Sequence, residues 1–321
     1  MSETPALEVP PSAIPAGQSQ CDRWTKGAQS ARDRINTSFV VPEWTPSFQL
    51  QPDAKIFAIG SCFARNIEKA LIDKQAQVTS ADSGSEVMEL RTNLLTGLLN
   101  KYNPVSIHQE LQWASGHSTF PDSGFIEHDG KYIDPSLRDQ ARKGDLDLMR
   151  SRQAVLRQYF AQAFKADLVI ITLGLTETWF DRTTQLALAE CPSPRLRKQY
   201  PQRFACKVLN YPECAALLKS THTLLKQHGQ PDLKVVVTVS PVPMERTFSG
   251  QDVIVANMMS KSTLRSAAGA FAAATEGVDY FPSYEAAVVS NPRLVWMPDR
   301  RNIQDSAVAR IVGEFTHRYG L

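Results

Sequence analysis

Short, nearly continuous apolar runs alternate along the chain with segments of helical periodicity. KIFAIG (55–60) is followed at once by Phe63, Ile67, Ala70 and Leu71, spaced as one face of a helix. ADLVIITLG (166–174) and LKVVVTVS (233–240) are runs of the same kind, rich in Val and Ile. Such runs belong to parallel strands covered on both faces. Between them, CAALLKSTHTLLKQHG (214–229) predicts a crossover helix ended by Gly229. Further helices are predicted over 87–100, about 147–164, about 252–275 and 305–318, and VDYFPS (278–283) predicts another strand. Alternating strands and helices specify an α/β fold with a mainly parallel sheet. Sites in such sheets form in the loops at the carboxyl ends of the strands.

The flanking segments read differently. Residues 1–20 are rich in Pro, Ala and Ser and are expected to be a disordered tail. Residues 21–54 carry Trp24, Phe39, Val40, Val41, Trp44 and Phe48 among prolines, the pattern of an irregular arm lying over the domain formed by 55–321. Residues 101–146 scatter Gly, Pro, His, Asp and Ser among lone aromatics and read as a loop-rich insertion, a lid or binding element.

Composition narrows the function classes. The chain has 321 residues, 42% hydrophobic and 21% charged, which is ordinary globular composition with ample material for a core. The formal charge of +2 and the lack of a concentrated basic patch give no sign of a nucleic-acid partner. The densest basic stretch, Arg195–Arg203, reads as a solvated loop. The five cysteines are odd in number and form no C-x-x-C pair, so neither a disulfide framework nor a zinc ribbon is expected. No metal or cofactor is expected, and no Gly-rich phosphate fingerprint is present. The N-terminus lacks a signal-peptide pattern, and no stretch approaches the ~20 apolar residues of a membrane span. The expectation is a cytoplasmic protein.

The candidate chemistry lies at the predicted strand ends. The first ends in Gly60-Ser61-Cys62, the second in Gly174 followed by Leu175 to Trp179, the third in Ser240-Pro241-Val242-Pro243, and a late loop reads Met297-Pro298-Asp299-Arg300-Arg301-Asn302. A residue between a parallel strand and a helix meets unpaired backbone N–H groups and the positive end of the helix dipole. That setting is expected to lower the pKa of Cys62 and to supply donors to an oxyanion. The same three residues also fit a structural turn: Gly60 for the bend, Ser61 as helix cap, Cys62 as a small buried filler.

The GSCFA run at 60–64 resembles the signature of the GSCFA-domain family, which is related to the SGNH (GDSL-type) hydrolases. KYNPVSI (101–107), TLGLTETW (172–179), TVSPVPM (238–244), VANMMSKSTLR (255–265) and VDYFPSYE (278–285) extend the resemblance over roughly residues 40–310. It implies a three-layer α/β/α sandwich of SGNH type. In the SGNH pattern Gly-Asp-Ser the third residue is the nucleophile, a place filled here by Cys62, with Ser61 as the second candidate. The oxyanion donors would come from Gly97 or Asn103 and from Gly174-x-Thr176-Glu177, where Thr176 occupies the usual Asn place. Asn103 before Pro104 is also a turn signal, and Thr176 and Glu177 also fit a cap.

The family's Asp-x-x-His is the point of departure, because the stretch reads Asp299-Arg300-Arg301-Asn302. An amide cannot take a proton from a thiol. Three explanations stay open: a relative that kept binding and lost catalysis, a His replaced by Asn to trap an intermediate, or a thiol that attacks without a base or with another histidine. His108, His117 and His128 lie in the loop-rich segment, whereas His222 and His228 fall on the crossover helix and His317 near the end of the last one. Asn257, Ser260 and Lys261 span one helical turn and could present a polar face to substrate, with Lys261 holding an anionic group; the pattern reads first as a solvated helix face. Trp179 could be a sugar platform or core. The expected function is an esterase or acyltransferase acting on an acyl ester, small or carried on a carbohydrate. The competing reading is an impaired SGNH-like binding protein of polysaccharide or cell-envelope assembly.

Overall fold

The computed structural model describes residues 24–25, 30–81, 97–138 and 143–321. The tail at 1–20 and most of the helix predicted over 87–100 lie outside the described residues, and 97–99 form a turn. A short helix α1 (Ala31–Ile35) precedes strand β1 (Lys55–Gly60), helix α2 (Cys62–Ile72) and strand β2 (Gln77–Val78). Helix α3 (Pro104–Ser115), a hairpin of β3 (Ile126–His128) and β4 (Lys131–Ile133), and helix α4 (Leu146–Ala161) lead to β5 (Leu168–Leu173). Strand β6 (Glu177–Asp181), helix α5 (Pro194–Gln199), strand β7 (Phe204–Val208) and helix α6 (Tyr211–His228) precede β8 (Lys234–Val239). The chain closes with α7 (Val253–Ala273), β9 (Val278–Tyr280), α8 (Ser283–Val289), α9 (Pro292–Val295) and α10 (Asp305–Tyr319).

The central sheet is parallel throughout, in the order β2-β1-β5-β8-β9. Its strands are buried on both faces, as their continuous apolar runs require. Phe57, Ile59, Val169, Ile171, Val235 and Val237 face a core completed by α3, α4, α6 and α7. Ile56, Ala58, Leu168, Ile170 and Val236 face a second core built from α2, α8 and α10. Helices thus cover each face. Counting only the strands of this sheet, the order is 2-1-3-4-5, a doubly wound arrangement whose direction reverses between β1 and β5. Ligand sites in such sheets lie at that switch point.

Two segments differ from expectation. Within 101–146, α3 is a regular helix. Asn103 caps it, accepting from Ser106 N at 2.9 Å in a capping box, and Pro104 opens it. What reads as a turn signal is a helix start. Ile107, Leu111 and Trp113 of α3 are buried. The basic stretch 195–203 begins in helix α5, capped by Ser193 and anchored by buried Leu196. Residues 36–54 contain no helix or strand. They lie against the α8–α10 side, with Trp44 5.4 Å from Phe281 and Phe48 5.2 Å from Tyr319 between ring centroids. No helix of the described residues is long and apolar enough to cross a membrane.

The tightest approach in the sheet is at the end of β1. Gly60 has φ of +143°, and a Cβ there would stand 2.1 Å from the carbonyl oxygen of Thr172 on β5. Gly60→Ala is therefore expected to lose about 3 kcal/mol, the upper end for overpacking. Gly116→Ala, also at positive φ but with open space around the new methyl, should lose only about 1–2 kcal/mol. Urea unfolding of the two variants beside the parent checks the difference.

Candidate active site

Three loops interlock at the switch point. The N–H of Ser61 donates to Thr172 O at 3.0 Å, that of Lys101 to Gly60 O at 2.8 Å, and those of Gly174 and Leu175 both to Tyr102 O at 2.9 Å. Above them opens a cavity of about 680 Å³, within the size range of small-molecule sites. Ser61, Cys62, Asn103, Gly174, Glu177 and Asn302 all line it, so residues far apart in the chain meet in one wall. Gly60, Gly97, Thr176, Asn257, Lys261 and Asp299 do not line it.

Ser61 is the N-cap of α2, but its hydroxyl makes no capping bond and is buried without a partner. Cys62, the first residue of α2, is half-buried and borders the cavity. The expected lowering of its pKa is overturned. Burial pushes the thiol up, against the opposing pull of Arg301, Lys261 and the N–H groups of Phe63 and Cys62. The helix terminus and the cations act in the predicted direction, but loss of water around the sulfur outweighs them.

Asp299 and Asn302 form a self-contained turn. The Asp299 carboxylate accepts from Arg301 N at 2.9 Å, Asn302 N at 3.0 Å and Asn302 Nδ2 at 2.6 Å. These donors hold the exposed carboxyl below its ordinary range, the two backbone N–H groups first. None of the six histidines lines the cavity. His108 Nδ1 lies 3.1 Å from Thr221 Oγ1 on α6, and His128 Nδ1 lies 2.9 Å from Gln199 Oε1 on α5. The structure brings no histidine into the cavity beside Cys62.

The residues assigned to oxyanion and substrate contacts outside the cavity have structural partners. Thr176 is buried, with its N–H donating to Ser260 Oγ at 2.8 Å. A Cβ on Gly97 would meet the guanidinium of Arg138, not the cavity. Asn257 Oδ1 accepts from Met244 N at 3.1 Å. Lys261 is neither a solvated residue nor a substrate contact: it is 1% exposed, and its ammonium donates to Gly174 O at 2.6 Å and Val242 O at 2.9 Å. One turn of α7 therefore ties down the loops after β5 and β8. Glu177 lines the cavity while holding the loop at 247–248, accepting from Thr247 Oγ1 and Phe248 N. Trp179 also lines the cavity, edge-on to Phe248 with centroids 5.0 Å apart. Arg65, Tyr102, Arg138, Glu190, Glu245, Arg246 and Arg301 complete the polar wall. Sequence reasoning passed over these. The one available signal was Arg301 beside Asn302.

Burial moves the Lys261 pKa down to about 7, with the Cys62 thiolate favouring the ammonium. An unfolded lysine titrates near about 10.4. Between these values the unfolded chain holds the extra proton, so stability rises with pH. The buried thiol acts in the opposite sense, so the test belongs in a Cys62→Ala background. The thiols of Cys191, Cys206 and Cys214, also raised by burial, act in that opposite sense in every variant. The quantity to read is therefore the unfolding free energy of Cys62→Ala relative to Cys62→Ala/Lys261→Met, by urea titration at each pH, which should climb from pH 7 towards 10 by up to about 1.4 kcal/mol per pH unit.

A search of curated proteins gives no match to this chain. A family model described as GSCFA family matches residues 55–315, a span that runs from the first residue of β1 into α10 and takes in Cys62, Asn302 and every loop that walls the cavity. The chain belongs to the GSCFA family.

Proposed function

We propose that this protein is an SGNH-like esterase or acyltransferase that handles acyl esters of a carbohydrate through a Cys62 acyl-enzyme. The observation that carries this reading is the position of Cys62. It is the first residue of α2, at the switch point of the sheet, and it lines the same cavity as Asn302. The strand order 2-1-3-4-5, Gly60-Ser61-Cys62 after the first strand, Gly174 after the third and Asp299-x-x-Asn302 before the last helix support the SGNH likeness. The carbohydrate preference rests on that likeness.

In the proposed reaction the Cys62 thiolate attacks the ester carbonyl carbon. The carbonyl oxygen becomes an oxyanion beside the N–H groups of Cys62 and Phe63, which already point at the sulfur. Collapse breaks the C–O bond, and the alcohol leaves with a proton from solvent. Water or a second hydroxyl then attacks the thioester carbonyl, the C–S bond breaks to return the Cys62 thiolate, and the proton of the attacking O–H goes to solvent. The thiol proton goes to water, because Asn302 cannot accept it. A thiol is the nucleophile least dependent on a base, and Arg301 and the two N–H groups help its ionisation.

A second reading, an SGNH-like protein that binds without turning over, is favoured by the raised thiol pKa and by a cavity wall without histidine. Intact-mass spectrometry with p-nitrophenyl acetate separates the two. The parent should accumulate one acetyl adduct, Cys62→Ala none, and Asn302→His should release it faster by about 10²–10⁴-fold, the usual worth of a general base. Absence of an adduct in all three would leave binding as the function. Iodoacetamide labelling at Cys62 should still be accelerating above pH ~8.5, the ordinary thiol value. A plateau below that pH would contradict the thiol environment described above.

A further inference from the structure

The cavity wall has an imbalance between donors and acceptors. Among the described residues that line it, the buried polar side-chain atoms without a partner are Nε of Arg65 and Arg301, Nε1 of Trp179, and the hydroxyls of Ser61 and Ser240. The three nitrogens can only donate, and both hydroxyls can donate. The lining carboxylates are already engaged. Glu177 accepts from Thr247 and Phe248, Glu190 accepts from Arg138 at 3.2 Å, and Glu245 lies 3.4 Å from Arg246 and 3.6 Å from Arg301. A neutral sugar brings as many hydroxyl donors as acceptors and so does not single out this donor set. A carboxylate or phosphate brings acceptors only.

Arg301 is the centre of this surplus. It precedes Asn302, lines the cavity with Cys62 and is near enough to act on the thiol. Its ion pair with Glu245 is long, and the two side chains are 40% and 62% exposed. A pair of that kind contributes little and yields readily to a better acceptor. The planar guanidinium fork matches a carboxylate or phosphate with two parallel hydrogen bonds.

We propose that the acyl ester taken by this site is carried on an anionic carbohydrate, and that Arg301 binds its carboxylate or phosphate beside Cys62. Arg138 and Arg246, which line the same cavity, draw the anion in. This deepens the acyl-transfer reading and rests on it for the ester, whereas the anion subsite can be tested without any acyl chemistry.

Iodoacetate and iodoacetamide form the same S–CH₂ bond with expulsion of iodide and differ in charge. Peptide mapping gives the labelling rate of Cys62 with each, and 2-mercaptoethanol gives the ratio for a free thiol. The iodoacetate-to-iodoacetamide ratio at Cys62 should exceed that of the free thiol by about tenfold, the lower end of electrostatic focusing in a cleft. Arg301→Gln should remove most of that excess, the remainder reflecting Arg138, Arg246 and the helix N-terminus. Any change in thiol pKa alters both rates together, so the ratio reports the anion contact alone. Iodoacetamide labelling should also be slowed by glucuronate or by glucose 6-phosphate and not by glucose, and the more protective sugar identifies carboxylate or phosphate. A ratio no higher than that of the free thiol, a Cys62 that neither reagent labels, a ratio insensitive to Arg301→Gln, or protection absent or equal with glucose would each overturn the proposal. The acetyl adduct is read separately, so the loss of either reading leaves the other standing.

Discussion

The pairing of β1 with β5 is the constraint on which the site depends. Ile56 to Gly60 run in register with Leu168 to Thr172, and the pairing continues one step past the strand through Ser61 N to Thr172 O. The two backbones come so close at Gly60 that no side chain fits between them. This fixes where the chain must leave the sheet and turn into α2, and hence where Cys62 stands. The loop at 101–103 is held by the same ends: Gly60 O accepts from Lys101 N, and Tyr102 O accepts from Gly174 N and Leu175 N. Lys261 then pins the far side through the carbonyls of Gly174 and Val242. The cavity floor is backbone held by backbone, with one buried ammonium as its clamp.

That construction explains the electrostatics. A helix terminus and two cations stabilise a thiolate, and the same packing that brings them close removes water from the sulfur. Desolvation is the larger effect, so proximity to positive charge does not by itself make an acidic thiol. Lys261 meets the same conflict from the other side, with its ammonium destabilised by burial and favoured by Cys62. The thiol and the amine are linked: ionisation of one favours the charged form of the other.

The sheet was legible because its strands are buried on both faces. The runs beginning at Lys55, ADLVIITLG (166–174) and LKVVVTVS (233–240) are nearly continuous and apolar, and the observed strands Lys55–Gly60, Leu168–Leu173 and Lys234–Val239 fall on them to within one or two residues at each end. Helix α3 was not legible for a related reason. Gln109 and Glu110 face inward and are satisfied there, Gln109 by the backbone of Ala187 and Glu110 by Lys101. Their polarity breaks the apolar stripe that marks a helix. Lys261 was misread likewise, since a lysine on a helix normally reaches solvent and only tertiary structure supplies two inward-facing carbonyls. The far wall, from Leu188 to Cys191 and from Met244 to Phe248, has no periodicity to read. It comes to the cavity because β6 and β7 pair and because Glu177 holds the loop at 247–248.

The turn at 299–302 brings these strands of argument together. In an Asp-His couple the carboxylate orients an imidazole that then serves the nucleophile. Here Asp299 spends its oxygens on its own turn, on the N–H groups of Arg301 and Asn302 and on the Asn302 amide. The turn is closed by Met297 N on Asn302 O at 2.8 Å, with Arg300 at φ of +56°. Such a turn needs no base to hold its shape, and what it delivers to the cavity is the adjacent Arg301. A loop that in SGNH-like chemistry would present a proton acceptor presents a guanidinium to the cavity instead. Under the acyl-transfer reading proposed above, the site would exchange help in ionising Cys62 for help in holding an anion. A sulfur nucleophile tolerates that exchange better than a hydroxyl would, because a thiol ionises within reach of neutral pH and an alcohol does not. On that reading, a thiol at position 62 and an amide at position 302 are compatible with one another, whereas a hydroxyl at 62 would need the base that 302 does not supply.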